Sequence, residues 1–166
     1  MPSEFSFLAP PYDAALMTAL LALNNAHAEE LSYKTEEGFA DLLARASFVR
    51  AVEGGRALLV GFDETCDYDN DNFRWLKARF PRFNYIDRVV VSGAARGQGL
   101  ARQLYGLIAE ATRKDGRERL VCEINLEPPN PASDKFHEAL GFKPIGQRQL
   151  AGSAKIVRYW ARELNG

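Results

Sequence analysis

YIDRVVVSGAARGQGLARQLY, residues 85–105, reads as a strand, a glycine-bearing turn and a helix. Ile86, Val89, Val90 and Val91 are strand formers in a short apolar run. Ser92, Gly93, Ala94 and Ala95 end that run with small residues. After Arg96, Gly97, Gln98 and Gly99, the residues Leu100, Leu104, Leu107, Ile108 and Ala111 recur at helical spacing, which predicts an amphipathic helix over 100–113. The turn between strand and helix has the chemistry of an anion cradle. Glycines at 97 and 99 let backbone N–H groups lie against a ligand. The opening helix adds unpaired N–H donors and the positive end of its dipole, for which phosphate is the natural guest. A Walker A loop is excluded because no Gly-Lys-Ser/Thr follows, and a dinucleotide fingerprint because the third glycine is missing.

Around this centre the chain alternates predictably. A short strand is expected over 5–8, closed by Pro10-Pro11. A helix is expected over 12–31, with Leu16, Leu20, Leu21 and Leu23 as its apolar residues and a polar end at Asn24, Asn25, His27, Glu29 and Glu30. A second helix starts at Thr35, with Phe39, Leu42 and Leu43 facing inward. Strands over 47–52 and 56–62 flank a hairpin turn at Gly54-Gly55. Residues 63–84 form a long charged connection, acidic and then basic and aromatic, with a short helix over 73–80. A strand over 120–125 is followed by Pro128, Pro129 and Pro131. A helix over 133–140 stops at Gly141, and strands over 142–150 and 155–161 turn at Gly152-Ser153. The order β-α-α-β-β-β-α-β-α-β-β is an α+β arrangement: an antiparallel meander, then a crossover helix joining two parallel strands.

At 166 residues the chain has the size of one domain, over 1–166, and its 46% apolar and 26% charged residues are a globular composition. A net charge of −1 does not favour bulk nucleic-acid binding. No stretch is long enough to span a bilayer and no signal-peptide pattern opens the sequence. Cys66, Cys122, His27 and His137 are the whole complement of those residue types. They form neither a disulfide framework nor a metal spacing, so no metal is expected and a cytoplasmic location is. Asp67, Asp69 and Asp71 resemble the start of a calcium loop, but Asn72 and Ala78 stand where its glycine and glutamate belong.

The segment R-x-x-G-x-A from Arg96 to Ala101 resembles the Q/R-x-x-G-x-G/A pyrophosphate loop of the GNAT superfamily, the Gcn5-related N-acetyltransferases. Val91 lies five residues before Arg96, as that family's spacing has it, although Ser92 and Gly93 depart from its usual residues. A second signature, NPASDKFHEALGF at residues 130–142, is similar to the family's N-x-x-A-x-x-F/L-Y-x-x-x-G-F, matching at Asn130, Phe136, Gly141 and Phe142. The resemblance implies the GNAT fold, a mixed, mostly antiparallel sheet with helices on both faces. It also implies an acetyl-CoA-dependent N-acetyltransferase acting on a small-molecule or peptidyl primary amine. The alternative is an acetyl-CoA-binding regulatory module with little or no turnover. A monomer or homodimer is expected, with no nucleic-acid or membrane partner.

Carried residue by residue, the resemblance assigns the pyrophosphate to Arg96, Gly97, Gln98, Gly99, Leu100 and Ala101. It assigns the pantetheine arm to the backbone of Val89 and Val91 and to the side chain of Asn130. His137 stands where the family often has a tyrosine near the coenzyme sulfur, and is expected to donate to the leaving thiolate; Tyr105 or Tyr85 is the other source of a donor. For the general base, Asp87 shares the parity of Val89 and Val91 and is expected on their face of the strand; Glu123, on the paired strand, is the other candidate. The acceptor is expected near the end of the first helix, where Asn25 and Glu29 are four apart and share a face.

Overall fold

The computed structural model describes residues 4–28 and 31–164, so Glu29 lies outside the described residues. The chain folds as β1 (Phe7–Leu8), α1 (Ala14–Ala26), α2 (Glu36–Arg45), β2 (Phe48–Val52), β3 (Ala57–Asp63), α3 (Asp71–Lys77), β4 (Asn84–Val91), α4 (Leu100–Lys114), β5 (Arg119–Glu127), α5 (Pro131–Ala139), β6 (Lys143–Gln149) and β7 (Ile156–Glu163). One seven-stranded sheet has the order β1-β2-β3-β4-β5-β7-β6. Every pairing is antiparallel except β4 with β5, which α4 joins as a crossover. The α+β expectation and the element order therefore hold, while α1 is shorter than its apolar pattern predicts. His27 ends it, its backbone N–H reaching the Asn24 carbonyl.

Two apolar layers cover the sheet. One contains Leu20, Phe39, Leu42, Phe73 and Leu76 from α1, α2 and α3, against Val60, Phe62, Tyr85, Val90 and Tyr159. The other contains Leu100, Leu104, Tyr105 and Ile108 from α4, against Leu59, Ile86, Leu120, Cys122 and Trp160. Burying each large apolar side chain contributes about 1.5–3 kcal/mol. β3 is covered on both faces and reads as an uninterrupted apolar run, ALLVGF. Gly61 within it lets α4 approach, because a Cβ there would stand 2.8 Å from Cδ1 of Ile108.

The same place on the sheet holds a β-bulge. Val60 pairs with Arg88 and Gly61 with Ile86, so Asp87 has no partner on β3. One extra residue shifts the alternation of side chains. Val90 and Tyr85 therefore lie in the layer of α1–α3, while Ile86, Val89 and Val91 lie in the layer of α4. Asp87 does not share the face of Val89 and Val91, as unbroken alternation predicts. It faces α1–α3, where it meets Tyr68. Strand parity counted from sequence has no means of seeing the inserted residue.

Candidate active site

β4 and β5 pair only at Asn84–Leu120 and Tyr85–Val121. Beyond these positions the strands part, leaving backbone groups of each without a ladder partner. A cavity of about 280 Å³ fills the gap, lined by Ile86, Asp87, Arg88 and Val89 of β4, by Cys122–Asn125 of β5, and by Asn72, Tyr105, Asn130 and His137. Thus Asp87, Val89, Glu123, Asn130 and His137 come together around one space.

A second cavity, about 260 Å³, lies at the start of α4 and is lined by Val91, Ala95, Arg96, Gly97, Gly99, Leu100, Ala101, Arg102 and Phe136. Gly97 and Gly99 have φ of +80° and +75°, values that side-chain-bearing residues rarely adopt. A Cβ built on Gly97 would meet nothing within 4 Å, so glycine there keeps the cradle open. α1, α2, α3 and α5 have their first N–H groups capped by Asp13, Thr35, Asn70 and Asn130. Gly99, at the head of α4, supplies no such side chain, so the N–H groups of that first turn are left for an anion. The cradle fits a pyrophosphate. Arg102 joins it unannounced by the sequence motif. Gln98 is exposed and outside its lining. The Arg96 guanidinium lies 3.3 Å from Nε2 of His27.

Glu123 is the group whose surroundings most alter its chemistry. Burial, reinforced by the Asp87 charge, pushes its carboxyl up to about 8 against the pull of the Tyr85 hydrogen bond. Tyr85 donates to Oε2 at 2.7 Å, and Asn72 donates from Nδ2 to Oε1 at 3.2 Å. Asn72 in turn accepts from the Tyr159 hydroxyl at 2.7 Å. Trp75 stacks on Tyr159 at 3.9 Å, fixing α3 against β7. The short helix expected in the charged connection therefore carries part of the site. Asn72 is 51 residues from Glu123 in the chain, and no local pattern marks such a pair.

Asp87 is placed differently. Its carboxylate pairs with Arg88 at 2.7 Å, and both side chains are about 95% buried. It accepts from Tyr68, and Arg88 goes on to Asn24 at 2.7 Å. These partners hold it as a member of a buried ion-pair network.

His137 is buried too. Its Nδ1 stands 2.8 Å from the Ser133 carbonyl, which can only accept, so Nδ1 carries the hydrogen. Nε2 is then an acceptor, 2.8 Å from the Tyr105 hydroxyl, which donates to it. Burial lowers the imidazole's pKa and keeps it neutral. No N–H of His137 is left to donate to a leaving thiolate. Asn130 uses Oδ1 to cap α5, accepting from Ser133 N at 3.2 Å, and none of the hydrogen bonds among the described residues engages its Nδ2. Asn25 makes three hydrogen bonds within its own loop: it donates to Lys34 O and accepts from Lys34 N and Asn24. It closes the α1–α2 connection and does not line the central cavity.

Among the described residues no group of three His, Cys, Asp or Glu side chains is placed to hold a metal ion, and no helix is long and apolar enough to cross a membrane. The acidic loop is matched instead by arginines: Asp67 with Arg45, and Asp69 and Asp71 with Arg74.

The fold is shared with solved acetyltransferases. The NatC complex bound to Gag peptide and CoA contains a chain with a TM-score of 0.72 at 15% identity, covering 98% of this chain and 99% of that one. An N-acetyltransferase from Staphylococcus aureus Mu50 gives 0.70 at 16%, covering 98% and 100%. The ribosomal-protein-S18-alanine N-acetyltransferase from Escherichia coli gives 0.69 at 16%, covering 98% and 95%. No curated protein sequence matches significantly. The family model for the acetyltransferase (GNAT) family matches residues 15–142, which include both α4 with its cradle and the gap between β4 and β5. The chain belongs to the acetyltransferase (GNAT) family.

Proposed function

We propose that this chain is an N-acetyltransferase that transfers an acetyl group from acetyl-CoA directly to a primary amine, with Glu123 as the general base. The observation that carries this reading is Glu123 itself: a carboxyl held near 8 at the wall of the cavity between the parted strands. A general base works best with a pKa near the working pH.

Acetyl-CoA supplies the activated acetyl thioester. The first turn of α4 with Gly97, Gly99, Arg96 and Arg102 would hold its pyrophosphate. The unpaired edge of β4 at Val89 and Val91, together with the Asn130 amide, would hold its pantetheine arm. Glu123 takes the proton that the amine sheds as the nitrogen–carbon bond forms and the carbon–sulfur bond breaks. Tyr85 and Asn72 hold the carboxylate in place. The sulfur departs as a thiolate and takes its proton from water, because the single Tyr105 hydroxyl hydrogen is given to His137; the Tyr105–His137 pair shapes the cavity wall. Asp87 is a positioning residue: its charge raises the pKa of Glu123, and it anchors Arg88.

No observation favours the alternative reading as a binding module without turnover. The test is an amine-panel screen that follows CoA release, with Glu123→Gln alongside. Acetyl-CoA binding in both proteins, with turnover in the unaltered chain alone, supports the reading. Equal turnover in the two would remove Glu123 from its role.

A further inference from the structure

Nε and Nη2 of Arg148 are buried and have no hydrogen-bond partner. A guanidinium withdrawn from water without an anion is costly, and such groups in native proteins are ordinarily paired. None of the ion pairs among the described residues includes Arg148, and the carboxylates nearby are occupied: Asp87 by Arg88 and Tyr68, Glu123 by Tyr85 and Asn72.

The position of Arg148 relates it to the active site. It pairs across β6–β7 with Val157, which lines the central cavity. Its guanidinium approaches Tyr159 closely enough to act on it by hydrogen bonding and by charge, leaving Nε and Nη2 unpaired, and the Tyr159 hydroxyl leads through Asn72 to Glu123. Leu150 and Lys155, at the ends of the β6–β7 turn, line the same cavity. Glu123 pairs with Tyr159 across β5–β7 and Tyr159 with Gly146 across β6–β7, so Arg148 lies two strand spacings across the sheet from Glu123 and two residues further along β6, about 12 Å away. Glu123 and the Asp87–Arg88 pair line the β4–β5 wall of the cavity, Lys155 lines its β6–β7 end, and Arg148, outside the lining, neighbours Val157 within it. That polarity is complementary to a small zwitterion, with its amine toward Glu123.

We infer that the acceptor is an amino acid or a close relative of one, carrying a carboxylate beside its amine, and that Arg148, assisted by Lys155, takes the carboxylate. The inference rests on the acetyltransferase reading and names the substrate class of that site. The arginine side chain reaches the carboxylate by a change of rotamer, which exchanges an unpaired buried position for a charge-assisted, two-pronged contact.

The test compares common L-amino acids with their amides and with the corresponding amines that lack the carboxylate, using acetyl-CoA and following CoA release. At least one amino acid is expected to exceed its two carboxylate-free counterparts by about tenfold or more in kcat/KM. Arg148→Gln should abolish that preference by raising KM for the amino acid with little change in kcat, and leave the carboxylate-free amines as they were. Arg148→Lys should keep part of the preference. The inference is overturned if no amino acid is a substrate, if the carboxylate-free amines are better, or if Arg148→Gln lowers both kinds equally, which assigns Arg148 to packing. Acetylation of carboxylate-free amines alone would overturn this inference and leave the acetyltransferase reading standing. Absence of acetyl-CoA binding would overturn both.

Discussion

The Tyr105 hydroxyl donates to Nε2 of His137 at 2.8 Å, with both side chains buried between α4 and α5. His137 passes its own hydrogen to the Ser133 carbonyl one turn back. Phe136 and Phe142 meet both rings edge-on. This arrangement requires the neutral imidazole.

The pair predicts a pH dependence of stability. Burial puts the folded-state pKa of His137 below its ordinary 6.5. The unfolded chain then binds more protons as pH falls through and below that value. The contribution of neutral His137 is fully present above about 6.5 and is lost as pH falls toward the folded-state pKa. Melting temperature measured from pH 7.5 down to 5 should fall more steeply in the native protein than in His137→Gln. His137→Ala should cost roughly 2–4 kcal/mol, from the cavity and the stranded Tyr105 hydroxyl. A stability profile unchanged by His137→Gln would mean that the imidazole titrates freely.

Asp87 offers a separate test of the bulge. Replacing it with asparagine leaves Arg88 charged and about 95% buried without its counter-ion. Breaking one side of a buried pair typically costs 3–5 kcal/mol. Asp87→Asn should therefore lower the urea midpoint strongly. A variant of native stability that lost only turnover would make Asp87 the base and return Glu123 to a supporting role.

The elements were legible because their signals are local. The glycines of the cradle, the Gly54-Gly55 turn between β2 and β3, and the stop at Gly141 each act within a few residues. The cradle could be read directly, since Gly97 and Gly99 are needed for their backbone. The face on which Asp87 falls could not. The bulge at Asp87 changes no residue type, yet it reverses the side of the strand on which the side chain falls. Asn72 and Tyr85 reach Glu123 from two elements, Tyr159 holds Asn72 from a third, and Arg148 is distinguished by two buried nitrogens without partners. Such relations are created by packing and leave no spacing in the chain.

The cradle predicts a binding defect without a folding defect. Gly99 is left-handed at the head of α4, and the nearest atom to a Cβ there is the flexible end of Gln103, 4.0 Å away. Gly99→Glu would put a carboxylate where a pyrophosphate is to sit and would strain the backbone by about 1–2 kcal/mol. Acetyl-CoA affinity by calorimetry should fall more than about tenfold, on the order of 1.4 kcal/mol, with the circular dichroism of the native fold retained. Unchanged affinity would separate this loop from the coenzyme.

The last prediction concerns how Glu123 and Asn72 set the working pH. With the Glu123 carboxyl at about 8, the deprotonated base accumulates only as pH rises through that value. The rate kcat/KM for a good amine should climb with a limb near 8, and Glu123→Gln should lower it by about a hundredfold or more. Asn72 donates to the carboxylate and so favours its charged form. Asn72→Ala should move the limb to higher pH while leaving activity well above the limb largely intact. Stability supplies an independent check. A carboxyl raised from an ordinary 4.5 to about 8 holds a proton in the folded state across that window. Its contribution is fully present below about 4.5 and is lost as pH rises through 8. Glu123→Gln should remove this loss, making the variant relatively more stable than the native protein at pH 9 than at pH 4. If the kinetic limb stayed in place in Asn72→Ala, the α3 contact would be packing alone. If both the limb and the stability difference were absent in the native protein, Glu123 would be an ordinary carboxylate, and the base would have to be sought elsewhere in the cavity.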